Sequence, residues 1–348
     1  MTCLSNPVYD DPESERTATV LKDEKLIPVS VAVDTHMTES AALADLVLPA
    51  ATFLESWDLD LRESCDRIPV LSLRQPVVRR VAETEYLKAG MKVSSPPFRP
   101  FGDAVSLNDL FLELGKRIGG PMDDLLSFDS TTIYLKRIAA PYGNMETLQR
   151  DGVLTGPRRE YNAYERQGFN TPSGKCEIFS ETLERQGYSP LPVFTETPIH
   201  RRSLDGGQVI LTTYMPVVHT NRTGNCKWLA EIIHDNPVWI NTETAASLDL
   251  KEGDRVRITS AVGTIETMVH LTEGMHPRTI AMAQGCGHRE WGSIARAEMA
   301  KSSDPDTTLM WWSKQGNGVH PNTIIPVLTD PCGGGQAWHE TLVTIEKI

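Results

Sequence analysis

Five consecutive residues, His219-Thr220-Asn221-Arg222-Thr223, gather imidazole, hydroxyl, amide and guanidinium groups into one polar loop. Thr, Asn and neutral His each donate and accept hydrogen bonds from a short stem. Arg222 adds a planar cation suited to a phosphate or a keto edge. This inventory suits a ligand with dense polar ring edges, because burying such edges unpaired is costly. Other candidates are scattered along the chain. Asp34-Thr35-His36-Met37-Thr38-Glu39-Ser40 follows an apolar run, Gly285-Cys286-Gly287-His288 follows a strand-like segment, and Asn322 lies in GNGVHPNTII. A lone histidine is more often a satisfied surface group, so His270, His276 and His339 carry no functional expectation. Lys175 in TPSGK could meet a phosphate, but a lysine beside a turn is more often simply solvated.

The elements that would position these groups are legible in outline. Val209–Tyr214 reads as an apolar, Thr-rich strand ahead of the loop. A helix is expected near Lys227–His234, with Trp228, Leu229, Ile232 and Ile233 at helical spacing. Val238–Ile240 reads as a buried strand, and Asn241 or Thr242 as the cap of a short helix ending near Leu248. Arg255–Thr259 and Thr264–Leu271 alternate polar and apolar residues around a turn at 261–263, which predicts a hairpin. Leu342–Ile348 is expected to close as a strand. Upstream, 1–25 reads as polar and turn-rich. Leu26–Val33, the 34–40 loop with Thr38 as helix cap, Ala41–Ala44 and a buried strand at Leu46–Pro49 form a strand–loop–helix–strand succession of parallel-sheet type. Ile68–Val78 reads as a strand and Val93–Gly102 as a Pro-rich loop. Ser106 opens a helix ended by Gly119, with Leu107, Leu110, Phe111, Leu114 and Ile118 on one apolar face. Phe169–Ser180 reads as a turn followed by a strand, Pro190–Leu204 as a linker and Arg296–Asp306 as a polar stretch.

Length and composition narrow the classes. A chain of 348 residues suggests about two domains. The net charge of −12 argues against a nucleic-acid partner, since phosphate backbones are met by basic patches. The six cysteines, Cys3, Cys65, Cys176, Cys226, Cys286 and Cys332, include no C-x-x-C pair, unlike the close ligand pairs of zinc or iron–sulfur sites. They read as core residues or free thiols. No run of eighteen apolar residues occurs, and the opening MTCLSNPVYDDPESERT has no apolar signal core.

Three phrases, LTTYMPVVHTNRTGN, VWINTETAASLDLKEGDRVRITSAVGTIE and GVHPNTI, resemble the C-terminal cofactor-binding domain of the dimethyl sulfoxide reductase family. These are molybdenum and tungsten oxidoreductases that use bis-molybdopterin guanine dinucleotide. VAVDTHMTESAALADLVLPAATFLES resembles an earlier part of the same family. The resemblance implies a partial α/β, Rossmann-like sheet region over 1–60, helix- and loop-rich connecting segments over 61–195, and a double-psi β-barrel over 196–348. It carries cofactor contact onto Thr212, Tyr214, His219, Thr220, Asn221, Arg222 and Thr223, onto Asn241 at the guanosine end, and onto Asn322 at a pterin. It sets Asp34 and Thr38 near the dinucleotide and the substrate funnel. Gly285–His288 is a further candidate, as is His36.

The same resemblance implies two-electron transfer at molybdenum, on a substrate of the tetrathionate, polysulfide, thiosulfate and arsenate reductase type. Family members take their polypeptide metal ligand, and many a [4Fe–4S] cluster, from the earlier half of the full-length protein, so no metal ligand is expected in this chain. The chain then reads as a piece of a longer catalytic subunit, as half of a split enzyme, or as a free-standing barrel module without catalysis. The first is favoured, with no turnover by the chain alone. The expected partners are the rest of the catalytic subunit, an iron–sulfur electron-transfer subunit, a membrane anchor subunit and a small inorganic substrate. The expected setting is a periplasmic or membrane-associated complex.

Overall fold

The computed structural model describes residues 1–78, 102–197, 199–200, 202, 208–298 and 310–348. The expectations for 93–101, 203–204 and 299–306 lie outside the described residues. The chain forms two compact units, residues 1–48 with 196–348, and residues 49–195.

The first unit opens with β1 (Thr2–Cys3), α1 (Pro7–Asp10) and α2 (Ser14–Lys22), then β2 (Val31–Asp34), a 3₁₀ turn at Ala41–Leu43 and β3 (Leu46–Pro49). The three strands form one sheet in the order β1-β2-β3, with β1 and β2 parallel. The polar, turn-rich reading of 1–25 is corrected here. Pro7 sits at the first turn of α1, where its missing N–H costs nothing, and the segment buries Asn6 and Tyr9 at 1 % and 2 % exposure. The strand at 46–49 is present but not buried, since Leu46 is half exposed.

In the second unit β4 (Asp58–Glu63), β5 (Pro69–Arg74) and β6 (Val153–Thr155) make an antiparallel sheet. Its inner face packs Leu71 and Leu73 against Leu135, Ala139, Met145 and Leu148, from α4 (Thr131–Ala139) and α5 (Met145–Asp151). Between β5 and α4, helix α3 (Leu107–Ile118) is capped as expected, the Ser106 side chain accepting from the Asp109 amide, with Gly119 ending the helix. Its buried stripe is Leu112 and Gly115, while Phe111 and Ile118 are exposed, so the apolar face is rotated from the expected one. Residues 169–180 hold turns and no strand.

The rest of the first unit is a barrel. Strands β7 (Val209–Tyr214), β8 (Val238–Ile240), β9 (Arg255–Thr259), β10 (Thr264–Leu271), β11 (Thr279–Ala283) and β12 (Thr341–Lys347) close in the order β10-β8-β11-β7-β12-β9. The β9–β10 hairpin pairs Thr259 with Thr264, matching the alternation in the sequence. Inward residues Leu211, Val238, Ile240, Val256, Ile258, Ile280 and Val343 are fully buried in one cluster with Ile324. Ile280→Ala is expected to lower the unfolding free energy by about 2–5 kcal/mol, read by denaturant titration.

Helix α6 (Lys227–Ile232) follows β7, and α7 (Thr242–Ser247) follows β8, capped by Asn241. On α6 the expected apolar face is only partly covered. Ala230 is buried beside Ile294, Ala297, Met310 and Trp312, whereas Trp228 and Ile232 are about two-thirds exposed. A small side chain lets the helix approach that cluster closely. Lys227 is buried because its ammonium lies over the Trp228 ring at 3.9 Å and pairs with Glu231 at 2.8 Å.

Candidate functional site

Three barrel loops and the segment Asn6–Asp10 converge on Tyr9. The Tyr9 ring is stacked between His288 and His320, with centroids 3.8 Å and 4.0 Å away and planes within 10° and 8°. Its hydroxyl donates to the Cys286 carbonyl at 2.6 Å. Burial pushes the phenol pKa well up, so the group stays a donor. The Tyr9 and Asp10 carbonyls accept from Asn322 Nδ2 at 2.9 and 3.1 Å. The Asp10 carboxylate accepts from Asn221 Nδ2 at 3.0 Å. The 219–225, 285–291 and 317–323 loops are thereby tied to one short helix.

Glu39 anchors this cluster from beneath. Its Oε1 accepts from His288 Nδ1 at 3.0 Å and from the Arg289 and Glu290 amides at 2.9 and 3.1 Å. Its Oε2 accepts from Asn6 Nδ2 at 2.6 Å. Burial alone would raise the carboxyl pKa, but the bonds from His288, Asn6 and the Glu290 amide outweigh it and hold the pKa at about 2. A carboxylate can only accept, so Nδ1 of His288 carries the proton. His320, shielded on the far face of Tyr9, is pushed down to about 3 by burial and then by His288.

A second cluster adjoins the first. Trp291 is 3 % exposed and holds a left-handed backbone, φ 79°, an uncommon conformation for a bulky residue. Its amide donates to the Met37 carbonyl at 2.8 Å. His36 stacks on its ring at 5.1 Å and Arg222 lies over it at 5.5 Å. Arg222 also donates to the Leu4 carbonyl and stands 3.7 Å from Asp34 Oδ1.

The sequence-derived residues do not all come together. Asn221, Arg222, Asn322 and Asp34 come together around Asn6–Asp10 and Trp291. His219, Thr220 and Thr223 shape the loop from within. His219 Nε2 meets the Ile233 carbonyl at 2.7 Å and Nδ1 meets Thr223 Oγ1 at 3.3 Å, while the Thr220 amide donates to Thr223 Oγ1 at 2.8 Å. Thr38 lies 1 % exposed and its hydroxyl accepts from the Ala41 amide at 3.0 Å. Thr212, Tyr214 and Asn241 lie on other parts of the barrel. Thr212 meets His339 Nδ1 at 2.7 Å, and Tyr214 packs on Trp239 at 5.1 Å. Asn241 spends its side chain on the Glu243 amide and the Met275 carbonyl. Gly285–His288 joins the first cluster through Cys286 and His288.

Sequence reasoning missed Tyr9, Asp10, Trp291 and His320, and took Glu39 only as part of a loop. The available signals were an aromatic just inside a Pro-started helix and a histidine directly before Pro321 in GVHPNTI.

Several polar atoms here are buried with no partner: Asn221 Oδ1, Asn322 Oδ1, His288 Nε2, Trp291 Nε1 and both ring nitrogens of His320. Buried polar groups are normally paired, so such a concentration marks a place where a ligand or water supplies the bonds. An open hollow of about 320 Å³ runs from His320 and Gly287 to the β9–β10 turn. Among the described residues no group of three or more His, Cys, Asp or Glu side chains is placed to hold a metal ion.

Comparison with known proteins bears on this geometry. The family described as "Molydopterin dinucleotide binding domain" matches residues 209–342, which take in β7 to β11, the start of β12 and all three loops. The thiosulfate reductase molybdopterin-containing subunit of Salmonella typhimurium is 24 % identical over 336 residues, covering 94 % of this chain and 41 % of that protein. The dimethyl sulfoxide reductase of Escherichia coli is 24 % identical over 386 residues, covering 99 % and 40 %. The chain therefore spans about two-fifths of the length of these relatives. Acetylene hydratase from Pelobacter acetylenicus has a similar fold, with a TM-score of 0.72 at 20 % identity over 100 % of this chain and 44 % of that one. Residues 209–342 thus match a molydopterin dinucleotide binding domain, and nearly the whole chain is similar to a part of these reductase subunits.

Proposed function

We propose that this chain is the cofactor-binding portion of a molybdopterin-dependent oxidoreductase catalytic subunit and that its rim holds a bis-molybdopterin guanine dinucleotide. The observation that carries this reading is the pair of buried, unpartnered amide oxygens on Asn221 and Asn322. Pterin and guanine edges both carry N–H donors that such acceptors satisfy. The unpartnered Trp291 indole N–H, in turn, fits a keto or phosphate oxygen. The residues present thus fit the group. When bound, the cofactor supplies two-electron chemistry at its metal. The chain's own part is to pair the ring edges through Asn221, Asn322 and Trp291, with the Arg222 cation held beside Trp291.

The finer reading follows the resemblance. The barrel is of the double-psi type, and 1–60 forms part of a Rossmann-like sheet region. Small sulfur or arsenic oxyanions are the substrate class. The partners are the remainder of the catalytic subunit with its [4Fe–4S] cluster, an iron–sulfur electron-transfer subunit and a membrane anchor, in a periplasmic or membrane-associated complex.

Protein co-expressed with the rest of such a subunit is expected to carry pterin, read by fluorescence after oxidative release, and molybdenum, read by mass spectrometry. Asn322→Leu removes one acceptor and is expected to cut pterin content about tenfold. Purified wild-type protein without pterin would contradict the reading.

A further inference from the structure

We propose that Asp10, together with the Tyr9 and Asp10 carbonyls, is a positioning element that fixes which way the Asn221 and Asn322 amides face. The rim then accepts only the N–H donor edge of a ring, the edge bearing an exocyclic amine. This rests on the cofactor reading above and adds a specificity to it.

An asparagine side chain has one donating and one accepting end of nearly equal size, and its orientation is set by its neighbours. The Asp10 carboxylate accepts and cannot donate, and it takes Asn221 Nδ2 at 3.0 Å. Asn221 Oδ1 is thereby turned away from Asp10, buried and unpartnered. The Tyr9 and Asp10 carbonyls are likewise acceptors only, and both take Asn322 Nδ2. Asn322 is 2 % exposed, and its Oδ1 is also left unpartnered. Two amides that could each have faced either way are therefore locked as acceptors by one short helix. That helix is itself held by the Tyr9 stack between His288 and His320 and by the Asn6–Glu39 bond.

The other Asp10 oxygen accepts from the Asn6 amide at 3.3 Å. In Asp10→Asn the single remaining oxygen stays with the Asn6 amide, which can only donate. The new NH₂ then faces Asn221 and turns its amide over, so that the rim presents a donor where it had an acceptor. The change is nearly isosteric.

Both the pterin and the guanine ends of the cofactor carry an amine beside a ring N–H, and paired probes separate them. Binding of guanosine diphosphate against inosine diphosphate, and of pterin against lumazine, is measured by calorimetry on the wild-type chain and on Asp10→Asn. Inosine diphosphate and lumazine lack the amine. Wild-type protein is expected to prefer the amine-bearing member of one pair about tenfold. The pair that shows the preference identifies the end held by the asparagines. In Asp10→Asn the preference falls to within about threefold of parity, while the melting temperature stays near wild type. Should that variant fail to fold, Asp10→Ala frees the Asn221 amide and the preference falls in the same way. Amine-bearing probes that bind without preference overturn the inference, as does a wild-type preference retained in the Asp10 variants. Absence of binding by all four probes refutes the cofactor reading itself, and this inference with it.

Discussion

Glu39→Ala is expected to destabilise the unit formed by 1–48 and 196–348 by about 3–5 kcal/mol, because each buried donor left unpaired costs about 1–3 kcal/mol. The substitution strands four donors at once: His288 Nδ1, Asn6 Nδ2 and the Arg289 and Glu290 amides. The same residue makes stability depend on pH. Glu39 falls from 4.5 to about 2 on folding, so the folded state binds fewer protons than the unfolded state between those values. Its contribution, about 3 kcal/mol, is fully present above pH 4.5 and is lost as the pH falls toward 2. His320 acts in the same direction over a higher window. With its folded pKa lowered from 6.5 to about 3, it stays neutral where the unfolded chain takes up a proton, and stability declines from pH 6.5 downward. Denaturant midpoints measured from pH 7 to pH 2.5 should therefore fall steadily. Glu39→Gln should start lower at pH 7 and show a shallower fall below pH 4.5, where only the His320 share remains, ending near pH 3. An unchanged slope in that variant would show that the carboxylate is not held as described.

Gly287→Ala is expected to cost about 3 kcal/mol or more, combining overpacking with left-handed strain. A Cβ at Gly287 would fall 2.3 Å from both the Val319 carbonyl carbon and the His320 nitrogen, and the glycine has φ 74°. The obstacle is backbone, which cannot swing aside as a side-chain tip does. The Gly287 amide also donates to the Asn317 carbonyl at 2.7 Å, so this approach is what joins the 285–291 and 317–323 loops. Pushing them apart would withdraw His288 and His320 from the two faces of Tyr9. Thermal melts of the purified variant measure the loss, and a melting temperature within a degree or two of wild type would contradict the packing.

The barrel was readable because its strands alternate strictly and its turns carry Gly and Asp at the positions their geometry needs. Arg255–Thr259, the 261–263 turn and Thr264–Leu271 show this, and the expected hairpin forms there. The capped helices at Ser106 and Asn241 were legible for the same local reason. The α6 face was misread because helical spacing alone cannot tell which stripe a neighbour covers. Ala230 is buried by residues far along the chain, while Trp228 and Ile232 are exposed. At the site, the loop 219–223 announced itself by its side-chain chemistry. The residues that orient it did not. Tyr9, Asp10 and Glu39 act across more than two hundred positions, through stacking, acceptor-only oxygens and a buried carboxylate, and no local pattern encodes such a pairing. His219 drew notice for its type, yet both its nitrogens serve the loop's own shape.

A structure of the protein with its cofactor bound tests the central claim most directly, through the surroundings of the Asn221 and Asn322 amide oxygens. Ring nitrogens of the cofactor should lie within hydrogen-bonding distance of both oxygens, about 2.7–3.2 Å. The two Nδ2 atoms should remain on Asp10 and on the Tyr9 and Asp10 carbonyls. A cofactor bound on the outer face of β7, beside Thr212 and Tyr214, with both amide oxygens still unpartnered, would contradict the account.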